Sequence, residues 1–68
     1  MMPTKQQIAR LKATGKVVDV EDEGMDEERF FVHLHAPYSW DDGYGVQRTK
    51  SFGSFSEALN RLKSVKPE

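Results

Sequence analysis

Cysteine is absent from this chain of 68 residues. That excludes disulfides and thiolate metal centres, two devices by which short domains offset a small core. It also suits a reducing compartment. Long apolar runs are missing as well: none approaches the roughly 18 residues that cross a bilayer as a helix. The N-terminal Met1-Met2-Pro3-Thr4-Lys5 lacks the basic-then-apolar order of a signal peptide. A cytoplasmic protein forming one small domain over residues 1–68 is expected. A core of this size rarely supplies more than about 3–5 kcal/mol of net stability, which makes a partner, a second copy included, a natural supplement.

What is present is charge, sorted along the chain. Residues 1–18 contain no acid and carry +4, from Lys5, Arg10, Lys12 and Lys16. Seven of the next ten residues are acids: Asp19, Glu21, Asp22, Glu23, Asp26, Glu27 and Glu28. Residues 29–68 set six bases against four acids, so the net charge of −1 hides a dipolar molecule. Such an arrangement bears on association rather than on fold.

The order of elements follows from periodicity and punctuation. Thr4 with Gln7 has the spacing of a capping box, Ile8 and Leu11 give a narrow apolar stripe, and Gly15 is placed to stop a short helix. Lys16–Val20, with Val17, Val18 and Val20, reads as a first strand. From Phe30 to Trp40 every even position is apolar: Phe30, Val32, Leu34, Ala36, Tyr38 and Trp40. Period two over that length predicts one half-buried strand, with Pro37 marking a bulge or a stretch beyond the paired region. Asp41-Asp42-Gly43 predicts a three-residue loop that sets Trp40 opposite Tyr44 and Tyr38 opposite Val46, with a third strand over Tyr44–Ser51. Ser54 and Glu57 repeat the capping-box spacing before a helix whose stripe is Phe55, Ala58, Leu59, Leu62 and Val65. The expected fold is α+β: a three-stranded antiparallel β-meander packed on a C-terminal α-helix, with a short N-terminal helix, in the order α-β-β-β-α.

Chemistry-bearing residues are few. His33 and His35 fall two apart on one strand face, a spacing that permits a shared metal but equally describes two polar residues on a wetted sheet face. The acidic block imitates a calcium loop until its last position, where the bidentate Glu is replaced by Phe30. Nothing arranges an acid, a base and a nucleophile together. No enzyme activity, catalytic residue, cofactor or metal is expected.

The stretch Phe52-Gly53-Ser54-Phe55-Ser56-Glu57-Ala58 resembles the strand-to-helix junction of plant AP2-type domains and of small phage integrase N-terminal domains, which read DNA through Arg-rich first and second strands. Here the corresponding hairpin is the acidic block, which a phosphate backbone repels. The helix–strand order is also similar to that of double-stranded RNA-binding domains, but Ser54–Glu57 stands where their basic cluster would be.

Two functions follow as expectations. The first is a non-enzymatic protein-binding module of adaptor or inhibitor type. It would use aromatic anchors at the hairpin end, Tyr38, Trp40 and Tyr44, and acidic steering residues, Asp22, Glu23, Asp26, Glu27 and Glu28, toward a basic protein or a second copy. At least one of the three aromatics is expected to close the core instead. The second is a nucleic-acid-binding domain using Arg48 and Lys50 of the third strand with Arg10, Lys12 and Lys16.

Overall fold

Thr4 closes both arms of a capping box in the computed structural model, which describes residues 2–25, 28–40 and 45–67. Its hydroxyl accepts the Gln7 N–H at 3.1 Å, and its own N–H donates to the Gln7 side chain at 3.0 Å. Helix α1 (Lys5–Lys12) follows, with Leu11 fully buried and Ile8 packed beside it. Gly15, at φ +80°, takes the left-handed turn that leads into strand β1 (Val17–Asp22).

Strand β1 pairs antiparallel with β2 (Phe30–Leu34), and β2 with β3 (Thr49–Phe52), giving the sheet order β1-β2-β3. The register of β1 slips between Val17 and Asp19. This bulge turns both Val17 and Val20 inward and leaves Val18 46% exposed. Helix α2 (Phe55–Ser64) begins on Ser54, whose hydroxyl accepts the Glu57 N–H at 3.1 Å. Leu11 of α1 and Ala58 and Leu62 of α2 join Phe30, Val32, Leu34 and Phe52 in one core. Both helices therefore lie on the same face of the sheet, and the expected α-β-β-β-α order stands.

The long second strand does not. The alternation holds from Phe30 to Leu34 and then stops, because the chain turns at His35–Tyr38, where the Tyr38 N–H donates to the His35 carbonyl at 2.8 Å across a cis Ala36–Pro37 bond. The chain then returns over the core. The Trp40 indole N–H donates to the Val32 carbonyl at 3.2 Å, and its ring meets Phe52 edge-on at 5.0 Å. Tyr38 bridges Pro67 rather than Val46, and Val46 is 57% exposed. The third strand is likewise shorter than expected. Its register sets Phe30 opposite Phe52, two residues away from the register that a tight Trp40–Tyr44 hairpin imposes. Residues 41–44, which carry that loop and Tyr44, lie outside the described residues.

The first strand and the last helix are joined by one side chain. Lys16 donates from Nζ to the carbonyls of Leu62 and Val65, each at 2.8 Å, so an ammonium sits on the C-terminal end of α2. The same ammonium lies 5.8 Å from the centre of the Tyr38 ring. It ties the strand entry, the turn and the helix end together.

Candidate functional site

Strand register decides where the acids go. Asp22 pairs with Phe30, and Phe30 with Phe52, so the β1–β2 connection stands at the end of the sheet where α2 begins. Lys16 and the last turn of α2, with Arg61, Lys63 and Lys66 around it, stand at the opposite end. Part of the charge sorted along the sequence is thereby separated in space, although Lys12 lies by Asp19 and Arg29 by Glu23.

The hairpin end is built from backbone and carboxylate together. Asp22 accepts the Gly24 N–H on Oδ1 at 2.8 Å, and Gly24 adopts φ +83°, a turn that suits glycine. The Met25 N–H donates to the Glu23 carbonyl at 3.0 Å, and the Met25 side chain is fully exposed. An unbranched apolar side chain thus stands at the tip among acids. Asp26 and Glu27 lie outside the described residues; Glu28 is exposed.

The sheet face turned away from the helices carries a second group of residues. Phe31 and His33 point there from β2, Glu21 and Asp19 from β1, and Thr49 and Ser51 from β3. His33 spans the sheet: Nδ1 is 2.8 Å from the Thr49 hydroxyl and Nε2 is 3.2 Å from Glu21 Oε1. Arg29 donates from Nε to the Ser51 hydroxyl at 2.8 Å and from Nη2 to the Ser51 carbonyl at 3.1 Å. The Ser51 hydroxyl in turn donates to Glu23 Oε2 at 3.2 Å. These cross-strand bonds hold Glu21 and Glu23 in place beside a half-buried Phe31, whose ring lies 6.3 Å from His33. No helix among the described residues covers this face.

The expected site residues are scattered by this arrangement. Trp40, at 1% exposure, belongs to the core and offers a partner no anchor. Tyr38 is half-buried against the C-terminal segment. Asp22, Glu23 and Glu28 flank the β1–β2 connection. His35 is exposed one residue past the end of β2, while His33 is engaged with Glu21 and Thr49. No three metal-ligating side chains meet among the described residues.

The bases of the nucleic-acid reading are spread out too. Lys16 is engaged at the end of α2, Lys12 lies 3.9 Å from Asp19, and Arg10 stacks over Phe55 at 5.4 Å. Arg48 and Lys50 sit by the far sheet edge, with Lys50 half-buried on the core face opposite Val32. Sequence reasoning passed over Arg29, Ser51 and Met25. The odd-position parity of β2 pointed to a wetted face, but cross-strand partners need a register that composition does not supply.

A concavity opens at the end of the molecule away from the acidic hairpin. A groove of about 430 Å³ lies between the last turn of α2 and the segment around Val46, with Trp40, Val46, Val65 and Pro67 as its apolar walls and Arg61 and Lys66 at its rim. No helix of the described residues is long and apolar enough to cross a membrane. Compared with known proteins, the chain matches no family model, no curated protein and no solved structure.

Proposed function

We propose that this chain is a non-enzymatic protein-binding module whose acidic hairpin end steers a basic protein onto the uncovered sheet face. The observation that carries the reading is the fixed position of Glu21 and Glu23. Cross-strand bonds to His33, Arg29 and Ser51 hold these carboxylates at the border between the acidic tip and the face bearing Phe31. Carboxylates held in position accelerate encounter with a basic surface and orient it, while the exposed Met25 and the half-buried Phe31 supply apolar contact. The apolar contribution comes from these two residues rather than from Trp40.

The nucleic-acid reading has less support, because its bases are distributed over both sheet edges and partly engaged within the fold. Such a binder shifts duplex DNA or RNA at low salt and releases it steeply as salt rises. The test is capture from lysate by the wild type and by a variant with Asp22→Asn, Asp26→Asn, Glu27→Gln and Glu28→Gln. Glu21 and Glu23 are kept so that the cross-strand bonds survive. Capture of a basic protein should fall by about tenfold or more, with the melting temperature unchanged. Equal capture by both forms contradicts steering, and a salt-sensitive shift of duplex favours the nucleic-acid reading.

A further inference from the structure

We infer that the groove at the C-terminal end of α2 receives the acidic hairpin of a second copy of this chain, so that the protein associates head to tail. This rests on the reading of the hairpin as a steering element and names its basic partner. The complementarity is on one molecule. Its hairpin end presents Met25, fully exposed, beside Asp22 and Glu28. Its groove has apolar walls at Val46 and Val65, with Arg61 and Lys66 at the rim, and neither cation makes an ion pair among the described residues. A volume of about 430 Å³ is ample for one methionine, a side chain that adapts to irregular gaps.

Geometry rules out the pairing within one copy. The hairpin lies at the end of the sheet where α2 starts, and the groove lies where α2 stops. A pair therefore keeps one free hairpin, on one copy, and one free groove, on the other. This contact is heterologous, and it builds open chains unless its rotation closes a ring. With an apolar anchor of one side chain and charges near the surface, the contact is weak and screened by salt.

Sedimentation velocity tests this on the full chain, from about 10 μM to 1 mM, at about 20 mM and 500 mM salt. The wild type should sediment progressively faster with concentration at low salt and return to the 7.8 kDa monomer at high salt. A hairpin variant (Met25→Ser, Asp26→Asn, Glu27→Gln) and a groove variant (Arg61→Glu, Lys66→Glu) should each remain monomeric alone. Mixed, they should form a one-to-one heterodimer and nothing larger, because only one hairpin and one groove remain. Should the groove variant melt early, Val46→Glu at an exposed position takes its place. A wild type that stays monomeric at low salt overturns the inference, as does a mixture that fails to pair. The groove variant keeps its hairpin, so undiminished capture of a basic protein from lysate leaves the steering reading standing even then.

Discussion

Lys16 and Leu62 stand 46 positions apart in the chain, yet the ammonium of one lies 2.8 Å from the carbonyl of the other. The bond is part-buried and doubled by a second to Val65. It gives the Leu62 carbonyl a second donor beside the Val65 N–H and bonds the Val65 carbonyl just past the helix, and it places positive charge at the negative end of the helix dipole. A lysine that composition assigns to a binding surface is thus part of the frame.

Lys16→Met keeps the aliphatic stem and removes the ammonium. The loss should be about 1–3 kcal/mol, since two charge-assisted bonds disappear. In a domain of this size about 1 kcal/mol moves the midpoint by roughly 4–8 °C, so a thermal melt should fall by about 5–15 °C. An unchanged midpoint means the bonds contribute nothing in solution.

Trp40 gives the second prediction. Trp40→Ala removes the largest buried side chain, at a cost of about 3–5 kcal/mol, comparable to the whole stability of a small domain. No cooperative melt should remain. Trp40→Phe keeps a ring against Phe52 and loses only the indole bond to Val32 and some volume, so it should fold with a reduced midpoint. The wild type, with this single tryptophan, should show blue-shifted emission that moves red on adding urea. Red emission from the folded protein would place Trp40 at the surface.

Thr4 gives the third. Thr4→Ala breaks the hydroxyl arm of the capping box and should cost about 0.5–2 kcal/mol, with α1 fraying first in amide exchange. Thr4→Ser should restore most of it. Equal exchange in all three forms would show that docking of Leu11 alone holds α1.

Both helices were legible because their signals are local. Thr4 with Gln7 and Ser54 with Glu57 satisfy backbone donors three residues on, so the spacing carries the structure. The alternation from Phe30 was informative as far as Leu34. Beyond it, Ala36, Tyr38 and Trp40 continue the pattern while the chain turns, since a segment folding back over the core needs apolar side chains as much as a strand does. The register of β3 followed the wrong loop for the same reason. The acidic end was visible as composition, and Asp22, Glu23 and Glu28 do gather there. The bonds that position Glu21 and Glu23 were not visible, because Arg29, Ser51 and Thr49 acquire meaning only once three strands are aligned.

The steering claim is tested most directly by the association rate constant of the captured basic protein, measured by stopped flow at about 20 mM and 300 mM salt. The wild type should lose about tenfold or more in rate as salt rises, while the variant with Asp22, Asp26, Glu27 and Glu28 neutralised should be slow at both salts with a shallow slope. Equal rates and equal salt slopes for the two proteins would contradict the account.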